Sequence, residues 1–248
     1  MSATVAIVWP CPWSVEAYAA AGRGVQVPRA ACPGCGRAMG WWSGYARYLR
    51  AGRVHRIWVR RARCRPCRVT HALLPSFSLL RRLDVVEVIG SALERVLAGA
   101  GVRPVASTLD VPHTTVRDWR RRFRARAPVL VAGLAALAIE LGAPATTKRV
   151  AGAEAVALGT LGVVWGRVRH RLGPAAPGRW QLAALVSGGA WLASTTRPPW
   201  AGLAGRRWMP PVPDPHQQEA LWHRLNRPPP AGSTHPGGPR LSRCCATG

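Results

Sequence analysis

Four cysteines form two short hooks whose spacing suits a metal ion. The hooks are Cys32-Pro33-Gly34-Cys35 and Cys64-Arg65-Pro66-Cys67, and 28 residues separate them. Two C-x-x-C pairs at this distance are how a small β-hairpin unit offers four thiolates to one tetrahedral Zn²⁺. Two disulfides or a thioredoxin-type redox pair are the alternatives, but a redox pair explains one C-x-x-C and not two. We therefore predict a zinc ribbon with Cys32, Cys35, Cys64 and Cys67 as ligands.

Such a site is expected to hold structure and not to catalyse a reaction. Four thiolates fill the tetrahedral coordination of one Zn²⁺ and leave no position for a substrate. His71 follows four residues after the last cysteine and could compete for the metal, although we favour a hydrogen-bonding or exposed histidine. The prediction is one structural Zn²⁺ in a protein that is not an enzyme.

The residues between the hooks are predicted to form the strands that bring them together. One strand is expected from Trp42 to Leu49 and a second from Val54 to Arg63, where exposed and buried positions would alternate. Between them, Arg50 to Arg53 is a plausible hairpin turn that contains Gly52. The apolar segment His71 to Phe77 is interpreted as a connector that packs against the metal domain.

The charge distribution points to a polyanionic partner. The net charge is +25, and 34 of the 35 basic residues are arginine, a choice that high-GC coding favours. Residues 29–127 carry 21 arginines against five acidic residues, whereas residues 1–28 are neutral and residues 128–196 and 197–248 add only +4 and +5. Coding bias can select arginine over lysine, but it does not decide where acidic residues are left out. We infer a nucleic-acid partner for the central segment.

The segment after the ribbon has the period of helices. One helix is expected from Asp84 to the glycines at 99–101, a short one from Pro104 to Leu109, and a third from Thr114 to about Ala127. Together they fit a helix-turn-helix. In the third helix Val116, Trp119 and Phe123 would face inward. The outward residues predicted to bind DNA, the first four of them at base edges, are His113, Thr114, Arg117, Asp118, Arg121 and Arg124.

A solvated arginine face is the alternative for this helix. However, five arginines among the eight residues from Arg117 to Arg124, with one acidic residue, are too unbalanced to form salt bridges among themselves. On the ribbon, the arginines expected to contact DNA phosphates are Arg47, Arg56, Arg60 and Arg61.

The flanking regions carry less information. At the N-terminus we predict a strand from Thr4 to Trp9, a helix capped by Ser14 and a short strand from Val25 to Val27. Beyond the third helix we predict helices at Pro128 to Leu141, Glu154 to Arg171 and Arg179 to Ser194, forming a small bundle or a dimer surface. Eleven of the 23 prolines lie in residues 197–248, which we expect to be a disordered tail.

The predicted class is α+β, mainly α. Its segments are an N-terminal strand and helix at 1–28, the ribbon at 29–80, the helix-turn-helix at 81–127, a helical region at 128–196 and the tail. No signal peptide or membrane-spanning run is recognisable, so we expect a cytoplasmic protein without membrane contact, in which thiols stay reduced.

Several motifs resemble the N-terminal zinc-finger module of bacterial insertion-sequence transposases. They are Cys32-Pro33-x-Cys35-Gly36, Gly44-Tyr45-x-Arg47, Val59-Arg60-Arg61-x-Arg63-Cys64-x-x-Cys67, Val105-Ala106-x-x-Leu109-x-Val111 and Thr115-Val116-Arg117-x-Trp119. Even more closely, the chain resembles an uncharacterised family of high-GC bacterial proteins that carry this module without a recognisable nuclease. The resemblance covers roughly residues 29–127 and implies binding to mobile-element ends or operator-like DNA, with the four cysteines as zinc ligands.

The chain departs from transposases after residue 127. Their DNA-cutting domain needs three carboxylates that hold two metal ions, and nothing here places three of the remaining acidic residues on strands. We therefore predict sequence-specific binding of double-stranded DNA. The alternatives are a transposase remnant or accessory subunit with a catalytic transposase partner, and an RNA-binding zinc ribbon. A homodimer is a further partner that the sequence leaves open.

Overall fold

The computed structural model describes residues 5–142 and 152–193 and contains, within them, a four-stranded sheet and six α-helices. The strands are β1 (Val5–Trp9), β2 (Gly40–Ala51), β3 (Arg53–Arg63) and β4 (Thr70–Pro75). The helices are α1 (Val15–Ala21), α2 (Val86–Leu97), α3 (Val102–Thr108), α4 (His113–Glu140), α5 (Ala153–Leu172) and α6 (Arg179–Val186). The predicted α+β class is confirmed. The predicted tail at 197–248, with Cys244 and Cys245, lies outside the described residues.

The sheet has the order β1-β4-β3-β2, and the predicted hairpin is its outer half. Strands β2 and β3 pair in antiparallel register and turn at Gly52, whose φ of +70° belongs to the left-handed region that glycine enters without strain. The predicted alternation is confirmed along most of β3, because His55, Ile57 and Val59 are buried while Val54 and Arg56 are exposed. The hairpin thus presents one face to the core and one to solvent.

The interpretation of residues 71–77 as a connector is wrong. Most of this segment is strand β4, which pairs antiparallel with β3 and parallel with β1. Its residues His71 to Pro75 are all buried, as expected for an interior strand that is covered on both faces. An unbroken apolar run lacks the alternation by which half-exposed strands are recognised, so its period did not indicate a strand.

The N-terminal predictions are partly confirmed. Ser14 caps α1, because its hydroxyl accepts a hydrogen bond from the Ala17 N–H at 3.2 Å, and the helix ends at Gly22. The predicted strand from Val25 to Val27 is wrong, although both valines are buried. The Val25 carbonyl accepts a hydrogen bond from the Arg60 guanidinium at 3.3 Å, where a strand would pair with a neighbouring backbone.

Helices α2 to α4 follow the predicted order with small shifts. Helix α2 buries Ile89, Leu93 and Val96 and is followed by Gly99 at a φ of +102°. Helix α3 begins two residues before the predicted start, and Pro104 is its third residue, where a missing N–H is still tolerated. A tight turn joins α3 to α4, and the Val111 N–H closes it by donating to the Ala106 carbonyl at 3.0 Å.

Helix α4 runs without a break from His113 to Glu140, so the prediction that a new helix begins at Pro128 is wrong. A proline inside a helix costs about 3 kcal/mol because it removes one backbone hydrogen bond and crowds the preceding turn. The apolar stripe nevertheless continues in phase beyond it, since Ala127, Leu130, Leu134 and Ala138 are buried. Packing of this stripe, largely against α5, outweighs the local preference of proline.

Helices α5 and α6 contribute buried residues to the core. Helix α5 matches its predicted bounds within a residue at each end, whereas α6 ends at Val186, well before the predicted Ser194. Gly188 and Gly189 follow it with φ values of +59° and +74°, which end the helix in a left-handed turn. Among the described residues, no helix combines the length and the apolar character needed to cross a bilayer.

Candidate metal centre and basic surfaces

The two cysteine hooks share one type of backbone hydrogen bond. The N–H of Cys32 donates to the carbonyl of Arg37 at 2.8 Å, and the N–H of Cys64 donates to the carbonyl of Val69 at 2.9 Å. Each bond spans five residues and closes a tight turn around its hook. The first turn leads into β2, and the second joins β3 to β4. The hairpin β2–β3 therefore carries the hooks to one end of the sheet.

The four thiols meet at that end. All four sulfur atoms lie within 4.8 Å of one another, with Cys35 Sγ 3.5 Å from Cys64 Sγ and Cys32 Sγ 3.9 Å from Cys67 Sγ. Tetrahedral Zn²⁺ with Zn–S bonds of about 2.3 Å requires sulfurs about 3.8 Å apart, so the cluster fits such an ion. The cysteines are free thiols, which removes the alternative of two disulfides. The cluster can hold a metal ion.

The thiols are not equivalent. Burial opposes ionisation of Cys32, but hydrogen bonds from the backbone N–H groups of Cys35 and Gly34 outweigh it and lower its pKa to about 6. Hydrogen bonds with Cys35, Cys64 and Cys32 raise the pKa of Cys67 to about 12. One thiol of the cluster therefore loses its proton readily, whereas the loss of further protons is opposed. A cation that binds there would release the remaining thiol protons.

His71 is not part of this cluster. The set of possible metal ligands in the described residues consists of the four cysteines alone. His71 lies in β4, is buried and pairs with Ala62 of β3 in the register of the sheet. It is therefore neither a metal ligand in this structure nor an exposed residue.

The first turns of α4 form an exposed basic surface. As predicted, Val116, Trp119 and Phe123 are buried. Of the residues expected to face outward, Asp118 is half-buried and the others are exposed, namely His113, Thr114, Arg117, Arg121 and Arg124.

Two of the α4 arginines have acidic neighbours. Arg121 pairs with Asp118 at 3.1 Å within the helix, and Arg124 pairs with Glu154 of α5 at 3.0 Å. Arg117 has no partner in the part of the chain that the structure describes. It is therefore the guanidinium of this surface most readily available to a ligand.

The four ribbon arginines divide into two pairs. Arg47 donates to the carbonyls of Leu79 and Arg82, and its desolvation lowers its pKa. Arg60 donates to the carbonyls of Val25 and Arg23. Arg56 is exposed and Arg61 half-buried, and within residues 5–142 and 152–193 neither guanidinium has a partner. The position of Arg47 two residues before the buried Leu49, on the same face of β2, is the sequence signal for its structural role.

A cleft beside the hooks was not predicted. It has a volume of about 350 Å³ and is lined by Gly40, Trp41, Trp42, Arg63, Arg65 and Arg68. Two of these arginines belong to the second hook or follow it directly. The doublet of tryptophans at the start of β2 is the signal in the sequence that could have indicated this surface.

The fold and the cysteine cluster define a small α+β protein with a four-thiol centre and a basic exterior. A family model described as a domain of unknown function, DUF6431, matches residues 32–122. The match begins at the first cysteine of the cluster, includes the hairpin, α2 and α3, and ends within α4. No curated protein and no solved structure matches the chain.

Proposed function

We propose that this protein binds double-stranded DNA with sequence preference, through a helix-turn-helix made of α2, α3 and α4, and that it is not an enzyme. The observation that carries the proposal is the exposed start of α4. There Arg117 and Arg121 stand one turn apart while Trp119 and Phe123 fix the helix on the core. A helix held in this way can enter the major groove with its first turns at base edges. Arginine in such a position recognises guanine through two hydrogen bonds.

The net charge of residues 29–127 supports the same partner. Exposed guanidinium groups on both the ribbon and α4 would neutralise phosphates and release counterions, which gives affinity without sequence preference. Arg56 and Arg61 suit this role because their guanidinium groups are unpaired within the described residues. Arg47 and Arg60 do not, since both are engaged with backbone carbonyls, and we assign them to the stability of the fold.

The metal that we propose for the cluster is one structural Zn²⁺ per chain. Four thiolates are the soft ligand set that Zn²⁺ accepts in closed tetrahedral sites, and the sulfur spacing fits it. Cys32, Cys35, Cys64 and Cys67 would hold the ion and thereby fix both hooks at the end of the sheet. With all four positions filled, the ion leaves no room for a substrate, which agrees with a binding protein.

The decisive experiment compares two arginines in a binding titration. Duplexes enriched by selection from random sequence are titrated beside unselected duplexes at several salt concentrations. Arg117→Ala should reduce the preference for the selected duplex by about 1 to 3 kcal/mol. Arg56→Ala should weaken both duplexes alike and reduce the salt slope by about 0.9. Equal losses on both duplexes for Arg117→Ala would assign base recognition to another surface.

A transposase-related role is the second candidate, and the similarity of the hooks and of the α2–α4 segment to transposase modules favours it. In that case the protein would act in the cytoplasm at mobile-element ends, beside a catalytic partner that supplies the carboxylates for cutting. Selected sequences that form the inverted ends of a mobile element would support this candidate. Light scattering of the free and the DNA-bound protein would show whether it acts as a homodimer.

A further inference from the structure

The cleft beside the second hook joins two tryptophans to three arginines. Its lining contains no acidic residue, and Arg65 and Arg68 are exposed at its rim. Trp42 keeps 57% of its surface exposed and Trp41 keeps 42%. Large aromatic side chains exposed together in this way are uncommon on a monomeric surface and mark places where a ligand covers them.

A β-bulge explains why two consecutive tryptophans line the same cleft. In a regular strand, neighbouring side chains point to opposite faces of the sheet. Here the register shifts between Trp41, which pairs with Ala62, and Ser43, which pairs with Arg61. Trp42 is therefore the extra residue of a bulge, and its side chain is turned toward the cleft that Trp41 also lines.

Arginines already stack on both rings. The Arg63 guanidinium lies 4.6 Å from the centroid of the Trp42 ring, and the Arg60 guanidinium lies 5.4 Å from that of Trp41. A guanidinium on one side of an indole holds the ring in place and places positive charge next to it. The exposed part of each ring then remains as a flat, pre-oriented surface.

We propose that this cleft binds unpaired nucleotides of a nucleic-acid strand. One or two bases would stack on Trp42 and Trp41, and the phosphates between them would lie against Arg65 and Arg68. Aromatic platforms combined with a positive groove are the common means of binding single strands, because every base has a face that can stack. A paired duplex hides those faces within its own stack. An acidic peptide would pair with the arginines, but its carboxylates would not stack on the two indole rings.

The proposal goes beyond duplex recognition by α4 and does not depend on it. The cleft is formed by β2, the end of β3 and the second hook, whereas duplex recognition is assigned to α4. Arg65 lies between two cysteines of the cluster, so its position in the cleft depends on the closed conformation of the second hook. A protein with both surfaces could bind a duplex next to a frayed or single-stranded end.

The test measures the affinity of the full zinc-loaded chain for short labelled strands at one fixed salt concentration. Four probes are compared: oligothymidine, an oligothymidine whose interior bases are removed, oligouridine and a blunt duplex. Trp42→Ala should weaken oligothymidine binding by roughly 5- to 100-fold and change binding of the base-free strand little, because only the stacked base is lost. Trp42→Phe, which keeps an aromatic face, should retain most of the affinity.

Tyr48→Ala is the matched control. Tyr48 lies on the same strand and is 61% exposed, but it does not line the cleft. It should change oligothymidine binding by no more than about twofold. The zinc content of each variant, measured by elemental analysis, verifies that the hooks remain closed.

Three results would overturn the proposal: no binding of either single strand, an equal loss for Trp42→Ala on the normal and base-free strands, or a loss for Tyr48→Ala as large as that for Trp42→Ala. Tighter binding of oligouridine with the same dependence on Trp42 would support the proposal and identify RNA as the strand. Arg117→Ala should leave oligothymidine binding unchanged. If the unmutated chain binds oligothymidine but shows no preference for selected over unselected duplexes, the α4 assignment alone is refuted.

Discussion

Arg68 adopts after the second cysteine hook the same left-handed backbone conformation that Gly36 adopts after the first. Their φ values are +56° and +72°, and each residue directly follows the last cysteine of its hook. Glycine enters this region freely, whereas a residue with a Cβ atom is strained there by roughly 1 to 2 kcal/mol. The second hook therefore carries a backbone strain that the first avoids, and the side chain that it gains lines the cleft beside the tryptophans.

We predict that Arg68→Gly is more stable than Arg68→Ala by about 1 kcal/mol. Both variants lose the guanidinium, so the difference between them isolates the cost of a Cβ atom at this φ. The free energies of unfolding are obtained from urea titrations at a fixed concentration of free zinc. Equal stabilities would mean that the hook changes its turn when Arg68 is replaced.

Removal of the metal is predicted to unfold the hairpin end of the sheet. Cys64 is fully buried, and without the ion nothing covalent joins the hooks. Binding of Zn²⁺ to four thiolates contributes on the order of 10 kcal/mol to the folded state. Elemental analysis should give about one Zn per chain, and Cys64→Ser should lose it together with strand signal in circular dichroism.

Cys11→Ser is the control for this prediction, because Cys11 is also a buried free thiol but lies outside the cluster. It should keep its zinc. A wild-type protein that keeps its strand signal after a strong chelator has removed all zinc would contradict the structural role of the metal.

Cys11 is predicted to be unreactive in the native protein. Burial raises its pKa to about 12, so the nucleophilic thiolate is scarce at pH 8 and increases about tenfold with each pH unit toward 12. Its folded-state pKa lies above the ordinary value, so stability from the buried thiol is complete below about pH 9 and is lost as the pH rises toward 12.

The measurement is the rate of labelling by a thiol reagent in zinc-loaded protein in which Cys244 and Cys245 are serine. Cys11 should be labelled only after denaturant is added. Rapid labelling at pH 8 under native conditions would show that β1 opens from the sheet.

Gly90→Ala is predicted to destabilise the protein by about 1 to 3 kcal/mol. An ideal Cβ at Gly90 would lie 2.1 Å from the ring of Trp180 in α6. The indole N–H of Trp180 donates to Glu94 at 2.8 Å, and Glu94 lies on α2, the helix that contains Gly90. The ring cannot shift without breaking that bond, so the added methyl group overpacks the contact between α2 and α6.

Gly159→Ala in α5 is the matched substitution, since a Cβ there would meet no atom within 4 Å. It should stabilise the protein by up to about 1 kcal/mol through helix propensity. Thermal and urea unfolding of the two variants would decide this prediction. A stabilising Gly90→Ala would mean that Trp180 does not pack on α2.

The hooks and the hairpin could be predicted because their signals span only a few residues. These signals are the cysteine spacing, the turn at Gly52 and the alternation along β3. The continuity of α4 could not be predicted in this way. The proline at 128 favours a break locally, and only the packing of Leu130 and Leu134 against α5 overrides it. Local sequence patterns do not contain the packing energy between α4 and a helix that begins more than 20 residues after Pro128.

The surfaces were harder to predict than the elements. Arg47 and Arg56 are the same residue type on neighbouring strands, yet the Arg47 guanidinium donates to two backbone carbonyls and Arg56 is exposed. The cleft depends on a β-bulge at Trp42. One extra residue in a strand cannot be recognised from the alternation of apolar and polar residues in the sequence. Both features arise when distant segments meet, which a local pattern does not encode.

The segment that matches the family model cannot be transplanted alone. Its end at residue 122 falls inside α4, one residue before Phe123, whose ring meets that of Trp191 edge to face at 6.0 Å. A chain cut there would also lose Leu130 and Leu134, which line one cavity together with residues of α5 and α6. A fusion protein that is to keep this fold must therefore carry the whole of α4 and the helices packed on it, beyond the end of the matched segment.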